Sequence, residues 1–160
     1  MSNRRILLGI VAGAVGGAVA IGAMQLISDY AAFPLMFVPF ATSIVLVMGT
    51  PAIEPSQPRA LIGGHLIATL VGLLIVKLIG PSEWAAAGAV GLSMASMHVT
   101  RTFHPPAGID PLIVVVYDKS WDFLLAPVAL GACLLAAFAF AWHNLVARGS
   151  WSGSWPERWW

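Results

Sequence analysis

Apolar residues run along this chain in long blocks, separated by short clusters of glycine, proline and charge. Five blocks are long enough to be membrane helices: residues 6–27, 33–49, 61–79, 84–100 and 123–142. At the helical rise the first spans about 33 Å, enough for a hydrocarbon core of about 30 Å. Pro34 lies near the start of the second block, and Pro39 within it predicts a kink. A sixth apolar piece, 109–117, holds nine residues and is too short to cross as a helix. Its place after His104-Pro105-Pro106 predicts a half-helix or a re-entrant element. The expected fold class is therefore an all-α membrane protein of about five transmembrane helices plus this short element.

The first block carries Arg4 and Arg5 ahead of it and Ala18-Val19-Ala20 inside it, features shared with cleaved leaders. The apolar stretch continues past them to Ile27, which favours a retained span. Gly9, Gly13 and Gly17 recur every fourth residue and let another helix approach closely.

The run Arg101-Thr102-Phe103-His104-Pro105-Pro106-Ala107-Gly108 sits where a membrane helix should be ending. Non-helical backbone at membrane depth must be buried in protein or line a watery cavity. Ionisable groups in such a place mark a substrate or ion path. Two prolines suit the first turn of a helix, which would leave the N–H groups of Ala107 and Gly108 free for an anion. Asp110 opposes that use unless an arginine or His104 neutralises it.

Composition agrees with the blocks. Hydrophobic residues make up 59% of the chain and charged residues 9%, against about 25% charged in a soluble domain. The net charge of +1 gives no reason to expect a nucleic-acid partner. A lone cysteine, Cys133, excludes an internal disulfide. No histidine–glutamate metalloprotease pattern, cysteine pair or nucleophile elbow is present, so no enzyme, metal or cofactor is expected.

Basic residues suggest the orientation. With Arg4 and Arg5 in the cytoplasm, Arg59, Arg101 and, for a re-entrant short piece, Lys119 fall on the same side. The C-terminus then lies outside, moving inside if the short piece crosses. Gln57, Arg59, His65, His98, Arg101 and His104 gather near the cytoplasmic face, and His65, Thr69 and Gly72 share one helical face. The tail, with Trp151, Trp155, Trp159 and Trp160, reads as an interfacial belt.

Two motifs carry a resemblance. Thr100 to Gly108 is similar to the signature of the HPP family of small integral membrane proteins. Gly49-Thr50-Pro51, Pro55-Ser56-Gln57-Pro58-Arg59 and Gly63-Gly64-His65 resemble its second motif. The family is described with four spans, and many members carry small residues where this chain has Ile109-Asp110-Pro111. Plant chloroplast and cyanobacterial members are associated with nitrite transport.

The resemblance and the residues together give the expectation. Residues 1–142 form an HPP-type transmembrane domain and 143–160 a Trp-rich interfacial tail. The chain is a multi-pass protein of the inner membrane, with its N-terminus cytoplasmic, that transports or conducts a small inorganic anion such as nitrite. The candidate substrate-binding residues are Gln57, Arg59, His65, His98, Arg101, His104, Pro105, Pro106, Ala107, Gly108 and Asp110. A proton carried on His104 would offset the anion's charge, with Arg101 supplying the permanent charge. Assembly as a homo-oligomer in the bilayer is expected. The alternative is a non-transporting membrane module that binds a ligand or acts as a regulator or scaffold.

Overall fold

A computed structural model describes residues 2–31, 39–148 and 154–159. Within them the chain is a bundle of helices: α1 (Asn3–Ala31), α2 (Phe40–Gly49), α3 (Pro58–Ile79), α4 (Glu83–Val99), α5 (Asp110–Val116) and α6 (Leu130–Ala141). Short 3-10 turns, Glu54–Ser56 and Pro105–Ile109, precede α3 and α5. π-type turns flank α6, giving a helical run over Leu124–Val146 that is interrupted at Ala126 before Pro127. Asn3–Tyr30, Pro58–Ile79 and Leu124–Val146 are long and apolar enough to cross a membrane, while Phe40–Gly49 and Pro105–Val116 are shorter apolar helices.

Proline sets the start of α2. Pro39 was expected to kink the second block but precedes the helix instead, and its carbonyl accepts from the Thr42 hydroxyl. The block's earlier part, with Pro34, lies outside the described residues. α2 then runs antiparallel to α1. A Cβ on Gly13 would sit 2.7 Å from the Met48 carbonyl oxygen, and one on Gly17 would touch Ile44. The glycine face of the first block is thus used inside the protomer. Gly16 lies under the Trp142 indole, whose Nε1 donates to the Ala12 carbonyl at 3.1 Å.

α3 is the hub, packed against α4, α5 and α6. The segment after His104 runs alongside it. Gly64 meets His104, Gly72 meets Pro111 and Val114, and Ile75 and Val76 pack with Val115. Val115 also closes on Ala85, Ala86 and Ala89 at the start of α4. The short piece therefore travels from one end of the bundle to the other. It breaks at His104 as expected but is not re-entrant.

Two placements change as a result. Lys119 lies at the end opposite Arg4 and Arg5. The C-terminal tail returns to the N-terminal face, where Trp155 is buried and its Nε1 donates to the Ser56 carbonyl at 3.2 Å. Arg4, Arg5, Arg59, Arg101, Arg148 and Arg158 share that face, six of the eight lysines and arginines. An indole N–H finds a carbonyl there, so Trp155 is a packed anchor rather than a belt residue. Trp159 is exposed, and Trp151 and Trp160 lie outside the described residues.

Candidate functional site

Close packing brings four polar side chains to one line in the bundle. Thr102 and His104 press on α3 at Gly63 and Gly64, where added Cβ atoms would meet them at 2.6 and 2.7 Å. That approach carries His104 beside the next α3 residue, His65, with ring centroids 5.2 Å apart. Asp110, at the start of α5, places Oδ2 2.6 Å from His65 Nδ1. Ser43 of α2 places its Oγ 2.8 Å from His65 Nε2 and 2.9 Å from His104 Nε2. His104 Nδ1 donates to the Pro55 carbonyl at 2.7 Å. Asp110, His65, Ser43 and His104 are each fully buried.

The line runs Asp110, His65, Ser43, His104, then the Pro55 carbonyl. At its Asp110 end one carboxyl oxygen, Oδ1, has no hydrogen-bond partner among the described residues. Thr69 Oγ1 lies beside that carboxyl, short of hydrogen-bonding geometry. The face that His65, Thr69 and Gly72 share by their spacing points at α5. Ser43, His65 and Asp110 alone have the order of a hydrolase triad. The Ser43 hydroxyl, however, is fully buried and is shared with a second histidine, His104.

Above the His104 end lies a basic vestibule on the N-terminal face. A pocket of about 150 Å³ is lined by Glu54, Gln57, Arg59, Ala60, Arg101 and Arg158. A second, about 240 Å³, is lined by Glu54, Pro55, His98, Arg101 and Phe103. Glu54 and Arg101 border both, and Pro55 joins the vestibule to the buried line. Arg59 Nη2 donates to the Thr100 carbonyl at 2.8 Å, which ties the start of α3 to the end of α4. The His98 ring stacks on Phe103.

Arg101 holds an unusual backbone. Its φ is 56°, in the left-handed region, and it ends α4. Arg101 N–H donates to the His98 carbonyl and Thr102 N–H to the Met97 carbonyl, the bond pair that glycine normally completes at a helix C-terminus. A side chain there costs roughly 1–2 kcal/mol.

The expected site thus divides in two. Arg59, Arg101 and His98 meet at the vestibule, while His65, His104 and Asp110 meet in the buried line. Gln57 borders the vestibule and also staples the fold: its Nε2 donates to the Pro51 carbonyl and its Oε1 accepts from Glu157 N–H. The helix-start cradle expected at Ala107 and Gly108 does not form. Residues Pro105–Ile109 make a 3-10 turn in which Ala107 N–H already donates to the His104 carbonyl, and Ala107 is buried. Pro105 and Pro106 instead border an apolar pocket with Thr42, Val45 and Ile109. His65, not an arginine or His104, partners Asp110. Two residues escape a reading of the sequence: Ser43, whose only signal is a hydroxyl in an apolar block, and Arg158 in the tail.

The family described as HPP, transmembrane region, matches residues 2–152, beyond the boundary expected at 142. Two curated proteins of Dictyostelium discoideum, each described only as a transmembrane protein, are similar. One is 34% identical over 129 residues, covering 76% of this chain and 40% of that protein. The other is 35% identical over 129 residues, covering 76% of this chain and 44% of that protein. The chain therefore spans less than half the length of these relatives. No solved structure matches it.

Proposed function

From the premise that this chain belongs to the HPP transmembrane family, we propose that it carries a small inorganic anion, nitrite foremost, across the bilayer. The observation that carries this reading is Arg101, kept at a backbone position that favours glycine and aimed into a basic vestibule. A planar guanidinium offers a fork to a small planar oxyanion, and a strained position held by a residue with a side chain is a mark of function. Below it, fully buried ionisable groups mark a path rather than packing. The basic face is cytoplasmic on this reading, which puts both described ends of the chain on the cytoplasmic side of an inner membrane.

A second reading keeps the vestibule but removes the passage. Beyond Thr69 the contacts of α3 with α5 turn apolar, with Gly72 against Pro111 and Val114. A ligand-binding or scaffold module needs nothing more. Vesicles carrying the purified full chain separate the two: nitrite, nitrate, formate and chloride are offered in turn, and uptake is timed. A transporter moves at least one of them faster than empty vesicles, and Arg101→Gly slows it. Binding without uptake of any anion would select the second reading.

The homo-oligomer expected from the sequence has a candidate contact on α4. Gly88, Gly91 and Ala95 form an exposed stripe on α4, and Cβ atoms added at either glycine meet nothing within 4 Å. Small residues in such a stripe let two helices approach in lipid.

A further inference from the structure

The hydrogen bonds of the buried line restrict how many protons it holds. A peptide carbonyl only accepts, so His104 Nδ1 carries a hydrogen facing Pro55. With His104 neutral, its Nε2 has a lone pair and the Ser43 hydroxyl donates to it. Ser43 then accepts from His65 Nε2–H. One further proton lies between His65 Nδ1 and Asp110 Oδ2, on the carboxyl or on the imidazole. With His104 charged instead, its Nε2–H donates to Ser43, Ser43 to His65 Nε2, and His65 Nδ1–H to a carboxylate. Every arrangement that fills all the bonds has the same proton count and no net charge. Remove one proton, and somewhere along the line two lone pairs face each other.

We propose that Asp110, His65, Ser43 and His104 form a proton wire that links the Asp110 carboxyl to the wall of the arginine vestibule and couples proton to anion movement. This rests on the transport reading above and names its coupling ion. The transfer balances. The Asp110 O–H bond breaks as His65 Nδ1–H forms, His65 Nε2–H breaks as a new Ser43 O–H forms, and the hydrogen Ser43 held passes to His104 Nε2. Positive charge has then moved to His104, leaving a carboxylate at Asp110. The Pro55 contact then opens, vestibule water takes the His104 Nδ1 hydrogen to form hydronium, and the lone pair left on Nδ1 keeps the contact from closing on the carbonyl. Pro55 borders the pocket it shares with Arg101, so the proton count of the wire sets the shape of the anion site. Asp110 Oδ1, beside Thr69 and without a hydrogen-bond partner among the described residues, is the end that reloads from the opposite face.

Other ionisable groups face the wire from its surroundings. Glu54, Arg59, Arg101 and Arg158 border the vestibule, and His98 lies at its edge. His143 of the α6 run bonds the Val47 carbonyl, one turn of α2 from Ser43. The test therefore reads His65 and His104 individually, by nitrogen NMR of isotope-labelled histidines in the full chain in lipid bilayers across a pH series. A wire makes both rings change together in one shared event, and Ser43→Ala splits that event into two independent titrations. Ser43→Thr, which keeps the hydroxyl, restores it. Separate titrations in the native chain overturn the proposal, with no variant required. So does a shared event that survives in a folded Ser43→Ala. Anion uptake is measured in parallel: a shared event without uptake defeats the transport reading alone, and uptake with separate titrations defeats the wire alone.

Discussion

A Cβ added to Gly64 would sit 2.7 Å from the Cβ of His104 and 2.8 Å from the Thr102 carbonyl oxygen. The glycine before His65 and the histidine before two prolines are therefore halves of one contact. It lays the chain break flat on α3 and sets His104 within reach of Ser43.

Gly64→Ala tests that contact. Alanine in a helix interior gains about 1 kcal/mol over glycine. Overpacking costs about 1–3 kcal/mol, and one obstacle here is backbone, which cannot rotate away. The second effect wins, so the variant should unfold at lower temperature than the native chain. Gly22→Ala, inside α1 with open space around it, should be neutral or stabilising in the same melting measurement.

Arg101→Gly separates the side chain from the backbone it sits on. Relief of the left-handed φ should raise stability by about 1 kcal/mol. Anion affinity should fall at every pH, seen as a higher half-saturation for uptake. Arg101→Lys keeps the charge without the fork and should restore affinity only in part. A less stable Arg101→Gly with native affinity would assign the residue to the fold.

Much of this arrangement is legible in the sequence, and what is not has physical causes. The break at His104 follows from two prolines, and the face of His65, Thr69 and Gly72 follows from helical spacing. The reach of 109–117 does not, because the helical path begins four residues earlier, at Pro105, in residues that read as a break. The 3-10 turn over Pro105–Ile109 rises about 2.0 Å per residue, so with α5 the segment covers about 20 Å alongside α3. Ser43 was hidden because a lone hydroxyl in an apolar helix is common packing, and its partners lie 22 and 61 positions away. The tail reads as a belt from its tryptophans, yet Trp155 packs on His143.

Assembly is testable through α4. Gly91→Leu fills the exposed stripe without touching the protomer's interior, so the monomer should stay folded while the oligomer fraction falls in mild detergent and in bilayers. Gly13→Leu, which drives a side chain into the Met48 carbonyl, should unfold the protomer instead. Native chain that is monomeric in both media would remove the oligomer altogether.

Asp110 distinguishes a wire from a plain polar core. In Asp110→Asn the amide N–H donates to His65 Nδ1, His65 Nε2–H to Ser43, Ser43 to His104, and His104 to the Pro55 carbonyl. All bonds are filled, as in the protonated carboxyl form, but the amide has no proton to release. Stability should therefore stay within about 1 kcal/mol of native, whereas Asp110→Ala strands the His65 nitrogen at a cost of about 1–3 kcal/mol. Uptake driven by a pH gradient should be lost in both variants. The discriminating result is a stable Asp110→Asn that no longer responds to the gradient. If it responds as the native chain does, the carboxyl serves the fold and the proton travels elsewhere.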